Sequence, residues 1–126
     1  GFDKTKKTLF IWQSVSHFLE EETVRKALDE MAHLGAEGSV IAQDFYSKPF
    51  IMGETSFAAK SQGNIMKKMG EPWKFGLDMS ADPKAAVGSF LKECGLEMTE
   101  YMQFGEKLEI DPFYCIVEAK RSSPAD

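Results

Sequence analysis

The chain has 126 residues, of which 43% are hydrophobic and 28% are charged, and this size and composition indicate one globular domain with a sizeable core. Its formal net charge of −5 at pH 7 argues against a dominant nucleic-acid-binding role, because neutralising phosphates needs a basic face. No apolar run reaches the roughly 20 residues that cross a membrane, and no secretory signal is recognised, so we expect neither nucleic acid nor a membrane among its partners.

The cysteines and histidines do not form a metal-binding pattern. Cys94 and Cys115 are not part of a Cys-x-x-Cys pair, and His17 and His33 are not spaced to complete a zinc site. Both cysteines fall in apolar stretches, so we predict that they are small core residues of a reduced, cytoplasmic protein without a bound metal. The lysines near the N-terminus are typical of a solvated tail, which we place at residues 1–7.

The first third of the chain predicts a β-α-β unit. Residues 9–12 are apolar, aromatic and β-branched, which predicts a buried strand. Helical spacing of apolar residues predicts a helix from about residue 20 to 34, with acidic residues in the first turn, where the helix dipole favours them. Residues 39–42 predict a second short strand. A strand, a helix and a strand of this length are expected to pair in parallel through a right-handed crossover.

The segment over residues 47–80 is less regular, because glycines and prolines interrupt it. It is rich in methionine and aromatic residues, and a short helix is predicted around residues 57–69. Long irregular segments of this composition often form a lid or a binding wall. The alternative is that the segment only covers the sheet.

The last third predicts a helix followed by a hairpin. Asp82 as N-cap and Pro83 at the first helical position are a strong helix start. Strands are predicted over residues 96–104 and 113–119, joined by a polar connection over residues 105–112, which makes an antiparallel hairpin.

This order of elements predicts an α/β fold with a mostly parallel sheet that ends in an antiparallel hairpin. We expect a single domain over residues 8–120, followed by a disordered tail over residues 121–126. The C-terminal half of the Rossmann-like methyltransferase fold ends in the same way.

Four segments resemble, in order, motifs of the leucine carboxyl methyltransferase-like family. They are residues 8–19 with the acidic helix that follows, Gly38 to Asp44 (similar to the family's Pro-Gly-Ser-x-Val-x-x-Asp-Tyr strand), Gly70 to Asp78 (Gly-Glu-Pro-x-x-Phe-Gly) and Phe90 to Leu96 (Phe-Leu-x-x-x-Gly). The resemblance implies an S-adenosylmethionine-dependent O-methyltransferase that acts on carboxyl or hydroxyl groups of proteins or small molecules. It covers only the C-terminal half of such an enzyme, and no Gly-x-Gly cofactor loop occurs in this sequence.

The resemblance also suggests which residues contact the cofactor. Gln13 stands where the family usually has Glu, near the methionine end of S-adenosylmethionine, and Ser14 stands at the usual Gly. Gln13 keeps hydrogen-bonding capacity but lacks the charge that would pair an ammonium group. Phe18 stands at the usual Tyr, so a hydroxyl is missing. The alternative is that Gln13 and Ser14 only cap the turn between strand and helix.

Five further residues are candidates for chemistry. His17 is a candidate catalytic base, because an unperturbed pKa near 6.5 suits proton abstraction at pH 7; the alternative is a capping or surface histidine. Asp44 and Tyr46 are expected on the ligand side of an open sheet and are candidate substrate-binding residues, or a turn Asp and a packed Tyr. Trp73 and Phe75 are candidates for the wall of a substrate pocket, or for the core.

Three functions are compatible with the sequence. The first is a methyltransferase domain. The second is a non-catalytic binding or assembly module that retains half of the fold. Its first strand would lie at an open edge of the sheet, and such edges tend to pair with another chain. We therefore expect a homodimer or a complementing N-terminal half, which would bind at this edge or at the Met-rich segment. The third is another α/β enzyme that uses Asp44 and His17, for which no nucleophile elbow, P-loop or metal motif is found.

Overall fold

The structure is a computed structural model that describes residues 2–79, 82–104 and 114–121. The elements in chain order are β1 (Leu9–Trp12), a 3-10 helix (Ser16–Phe18), α1 (Glu21–Leu34), β2 (Val40–Tyr46), α2 (Lys48–Ile51), α3 (Phe57–Lys68), α4 (Pro83–Glu93), β3 (Leu96–Phe104) and β4 (Tyr114–Arg121). No helix in these ranges is long and apolar enough to cross a membrane.

The four strands form one mixed sheet in the order β1-β2-β4-β3. β1 and β2 pair in parallel, as the β-α-β unit predicts, whereas β4 pairs antiparallel with both β2 and β3. The α/β fold class and the closing antiparallel pair are confirmed, although only one of the three pairings is parallel in the described sheet. The last strand lies inside the sheet, so β1 and β3 are its edges.

The local signals in the sequence explain where the helices form. Val24, Leu28 and Ala32 are spaced by four residues and are all buried, which gives α1 one apolar face. The Asp82 carboxylate accepts a hydrogen bond from the Ala85 backbone N–H at 3.1 Å, which confirms it as the N-cap of α4.

Two strand boundaries and one helix differ from the prediction. β2 extends to Tyr46 instead of ending at residue 42, because β4 pairs along its whole length, from Val40 opposite Lys120 to Tyr46 opposite Tyr114. The short helix α2 was not predicted; the Ser47 side chain caps it. β4 includes Arg121, which the prediction assigned to the tail. The predicted connection over residues 105–112 and the tail after Arg121 lie outside the described residues.

The two faces of the sheet have different surroundings. One face packs against α1 and α4 in a core that includes Val24, Phe45, Phe90 and Val117. We call the opposite face the bare face, because its large apolar side chains are 36–70% exposed in the described structure; they are Leu9, Ile11, Met102, Phe104 and Ile116.

Both cysteines lie on the covered side of the sheet. Cys94 and Cys115 are free and buried, as predicted. Burial raises the pKa of the Cys115 thiol to about 12, so this group stays protonated and unreactive near neutral pH.

Candidate functional site

β2 continues to Tyr46, but its parallel pairing with β1 ends with Trp12 opposite Gln43. Asp44 follows at this position and is 1% exposed. Its carboxylate accepts hydrogen bonds from the Ser14 backbone N–H at 3.0 and 2.9 Å and from the Tyr114 hydroxyl at 2.8 Å. We call the group formed by Gln13, Ser14, Asp44 and Tyr114 the carboxyl edge.

Ser14 has a backbone conformation that normally favours glycine. Its φ angle is 58°, in the left-handed region, and it is the only non-glycine residue with a positive φ in the described chain. This matches the resemblance, in which Ser14 occupies a glycine position. Because Asp44 accepts both hydrogen bonds from the Ser14 N–H, the turn is fixed, whereas the side chains of Gln13 and Ser14 are exposed at the edge.

Tyr114 belongs to this group, although the sequence did not single it out. Its hydroxyl bonds Asp44 and also the Gln13 side chain. Burial, and then the hydrogen bond to Asp44, raise the pKa of the phenol well above its usual value. The hydroxyl is therefore a permanent donor near neutral pH. Only the register of β4 against β2, which places Tyr114 opposite Tyr46, brings it here.

His17 is buried in the 3-10 helix beside the carboxyl edge and is 6% exposed. Its ring centroid lies 4.2 Å from that of Phe18 and 4.7 Å from that of Tyr46. Burial lowers the pKa of the imidazole, and the charge of Asp44 opposes this shift only in part. The ring is therefore neutral at pH 7 and able to accept a proton. Its Nδ1 has no hydrogen-bond partner among the described residues.

Three aromatic rings form a stack beside His17. Phe50 stacks on Tyr46 with a centroid distance of 5.4 Å, and Trp73 stacks on Phe50 at the same distance. The His17 ring contacts Trp73 edge-on at 6.1 Å. The structure thus brings together the predicted site residues His17, Tyr46 and Trp73, and we call Tyr46, Phe50 and Trp73 the aromatic stack.

Phe75 does not join this group. It is buried in the core, with its ring 5.4 Å from that of Phe90 and 6.4 Å from that of Phe45. The structure therefore favours the core interpretation of Phe75. Its backbone N–H and that of Lys74 donate to the His17 carbonyl oxygen at 3.3 and 2.6 Å, so the segment still holds the 3-10 helix in place.

Gln43 is a further polar residue at this end of β2. It is 2% exposed, and neither its amide nitrogen nor its amide oxygen has a hydrogen-bond partner in the described chain. Residues 41 and 45, two positions away on each side, are in the core, so the Gln43 side chain lies on the covered side of the sheet. An unpaired buried amide costs folding free energy.

A cavity of about 90 Å³ opens at the carboxyl edge. Its lining residues are Ile11, Gln13, Ala42, Gln43, Asp44 and Ile116. Pockets for whole small-molecule ligands usually measure about 300–1,000 Å³, so this cavity suits one end of a ligand only. No group of three or more His, Cys, Asp or Glu that could hold a metal ion occurs among residues 2–79, 82–104 and 114–121.

The comparisons with known proteins identify the fold. No protein-family model matches the chain, and no curated protein matches it in sequence. A solved structure of a duf574 family protein from Streptomyces avermitilis matches 96% of the chain at 16% identity, with a TM-score of 0.64. An O-methyltransferase from neocarzinostatin biosynthesis, solved with S-adenosylhomocysteine and 1,4-dihydroxy-2-naphthoic acid, matches 90% at 14% identity, with a TM-score of 0.52.

Magnesium protoporphyrin IX methyltransferase from Synechocystis, solved with S-adenosylhomocysteine, matches 93% of the chain at 15% identity, with a TM-score of 0.51. This chain has part of a methyltransferase fold. It spans 47%, 29% and 46% of the three matched chains, in the order given, so the structures that it resembles are two to more than three times as long. At this level of identity, the likeness establishes the fold alone.

Proposed function

We propose that the chain supplies one half of an S-adenosylmethionine-dependent O-methyltransferase of the leucine carboxyl methyltransferase-like kind. The observation that carries the proposal is the carboxyl edge, where exposed Gln13 and Ser14 directly follow β1 at the point where its parallel pairing with β2 ends, the place where open α/β sheets bind ligands. Matched methyltransferases of this fold were solved with S-adenosylmethionine or S-adenosylhomocysteine, which supports the choice of cofactor.

The residues at the carboxyl edge fit one end of this cofactor. The carboxamide of Gln13 and the hydroxyl of Ser14 each both donate and accept hydrogen bonds, as the carboxylate and amino group of a methionine moiety require. The cavity of about 90 Å³ is too small for the whole cofactor. The rest of the site would come from a complementing N-terminal half or from a second copy of the chain.

The proposed chemistry is the transfer of a methyl group to a hydroxyl or carboxyl oxygen. When bound, S-adenosylmethionine supplies a methyl group on a positively charged sulfur, which leaves with the bonding electron pair. The neutral imidazole of His17 would take the proton of a hydroxyl acceptor, while a carboxylate acceptor would need no base. Asp44 and Tyr114 hold the turn. The proposed substrate-binding residues are Asp44, Tyr46 and Trp73, of which Tyr46 and Trp73 in the aromatic stack are the best placed, whereas Phe75 is buried in the core.

The acceptor is proposed to be a small molecule or a protein with a hydroxyl or carboxyl group. The aromatic ligand bound to one matched O-methyltransferase, a dihydroxynaphthoic acid, carries both groups on a flat ring, which suits an aromatic wall. The fold by itself does not fix the reaction, because a matched structure with a TM-score of 0.54 is described as a pericyclic reaction enzyme.

Calorimetric titration of S-adenosylhomocysteine tests the proposal. We expect binding to the wild-type chain, at least tenfold weaker binding to Gln13→Ala, and unchanged binding to Gln62→Ala, which removes an exposed glutamine of α3. No binding up to about 1 mM by a chain that circular dichroism shows to be folded would favour the second function instead.

The second function is a non-catalytic assembly module, and the open edge at β1 favours it. We propose that a second copy of the chain or a complementing half pairs with this edge strand, whose Ile11 is exposed on the bare face. Analytical ultracentrifugation at micromolar concentration tests this, with Ile11→Lys directed at the edge and Met52→Lys at the exposed Met-rich segment. The variant that dissociates the complex identifies the interface, and a monomeric wild-type chain contradicts a homodimer.

A further inference from the structure

A second cavity, of about 240 Å³, lies outside the carboxyl edge, between α2, α3 and the segment that carries Trp73. Its lining residues include Ile51, Lys60, Gly63, Asn64, Lys67 and Trp73. A cavity of about 150 Å³ between apolar side chains is known to hold a benzene ring. This cavity is therefore large enough for one aromatic ring that carries a small substituent.

The cavity has a positive wall in a protein that is negative overall. Lys60, Asn64 and Lys67 are spaced by four and three residues, so they lie on one face of α3 and form a row of three hydrogen-bond donors. The helix contains no Asp or Glu, while the whole chain has a net charge of −5. Neither lysine forms a salt bridge in the described parts of the chain, and the nearby Glu54 and Glu71 do not line the cavity.

Gly63 keeps the wall of the cavity beside Trp73 open. Its φ angle is not positive, and a Cβ added to it would meet only Trp73 ring atoms, at 3.7 and 3.8 Å, which is ordinary contact. Nothing in the backbone therefore requires glycine, although glycine inside a helix is less stable than alanine. Because Gly63 has no side chain, the Trp73 ring is accessible from the cavity.

We propose that this cavity binds a flat carboxylate, with the ring against Trp73 and the carboxylate between Lys60, Asn64 and Lys67. Lysine ammonium groups form charge-assisted hydrogen bonds with carboxylates, and indole rings contact other rings favourably. Trp73 also belongs to the aromatic stack, so occupation of this cavity is mechanically connected to Tyr46 and His17. None of the carboxyl-edge residues lines this cavity. It shares Trp73 with the proposed substrate-binding wall, but binding of a carboxylate here does not require methyl transfer.

Titration with sodium benzoate, followed by Trp73 fluorescence in a Trp12→Phe background, tests the proposal. Because the chain has two tryptophans, this background leaves Trp73 as the single reporter. We expect saturable binding with a Kd of about 1 mM or tighter, and at least tenfold weaker binding of benzyl alcohol and of acetate. Absence of binding, or equal binding of benzyl alcohol, overturns the proposal.

Variants of α3 separate a built site from general charge attraction. Lys60→Gln combined with Lys67→Gln should weaken benzoate binding at least tenfold, whereas Lys68→Gln, on the same helix but outside the lining, should not change it. Gly63→Leu should fill the cavity and abolish binding, while Gly63→Ala should raise the Tm. An equal loss in Lys68→Gln would overturn the proposal. S-adenosylhomocysteine binding reports on the carboxyl edge, so the failure of either site is seen separately.

Discussion

The two faces of this sheet are built from the same strands but meet different requirements. On the covered face, Val24, Phe45 and Val117 are almost fully inaccessible to solvent and form the core with α1 and α4. On the bare face, Ile11 of β1 and Met102 of β3 remain mostly exposed. Antiparallel sheets often expose one face, but that face is then polar. Folding stability therefore comes from the covered face, whereas the bare face is suited to contact with a further segment or partner.

The charges on the bare face are consistent with this view. Glu100 on β3 lies directly opposite Glu118 on β4, and like charges in such a pair are unfavourable. Neither forms a salt bridge in the described part of the chain. A covering segment with a basic residue at this position would relieve the repulsion.

The largest loss of stability is expected from a substitution in the core on the covered face. Phe45→Ala should lower the free energy of unfolding by about 3–5 kcal/mol, because it leaves a cavity in the core, whereas Ile11→Ala on the bare face should change it by less than about 0.5 kcal/mol. Urea denaturation measures both. A large loss in Ile11→Ala would show that the bare face is already covered, for example by a second copy.

A smaller effect is expected at the carboxyl edge, which lies on the bare side. Asp44→Asn should cost about 2 kcal/mol, since its amide nitrogen would face the Ser14 N–H, a donor, and Tyr114→Phe should cost about 1 kcal/mol. Thermal denaturation monitored by circular dichroism shows which of the two variants loses more stability. If Tyr114→Phe proves the more damaging, the hydroxyl has a further essential partner.

Gln43 gives a test with the opposite sign. Because its buried amide has no partner in the described chain, Gln43→Leu should stabilise the protein by about 1–2 kcal/mol. Gln62→Leu, at an exposed position of α3, is the matched control and should stay within about 0.5 kcal/mol. Destabilisation by Gln43→Leu would mean that a group on the covered face binds the Gln43 amide. The described core would then not be the whole of the packing on that face.

The smallest effect concerns pH and His17, which lies at the end of the sheet. Because burial lowers the pKa of the folded imidazole, the unfolded state binds more protons below the ordinary histidine pKa of about 6.5. This contribution to stability is therefore complete above this pH and is lost progressively as the pH falls below it. His17→Gln should remove that part of the acid sensitivity in denaturation curves from pH 7 to pH 5, and exposed His33→Gln should not.

The sequence predicted the elements whose signals are local. The apolar spacing of α1 and the Asp82 cap each need only neighbouring residues, and the structure confirms them. β3 covers the predicted residues 96–104, although a bulge between Met98 and Glu100 interrupts its alternation. The β-α-β unit and the closing antiparallel pair also follow from element order, which is why the fold class could be derived.

What the sequence missed depends on contacts between distant residues. β2 is longer than predicted because β4, about 70 residues later, pairs with it, and Tyr114 reaches Asp44 through the same register. Phe75 resembles a pocket residue by its surroundings in sequence, but Phe90 on α4 draws it into the core. The cytoplasmic location and the partner stay predictions.

The central position of β4 has a consequence for synthesis of the protein. During translation, the β-α-β unit emerges from the ribosome long before residues 114–121. Until β4 has been synthesised, the edge of β2 that pairs with it has unpaired backbone groups. β3 cannot join the sheet before then, because it contacts β2 only through β4. Until residues 114–121 pair with β2, the nascent chain is therefore exposed to mispairing at this strand, and we expect chaperones to bind it during that interval.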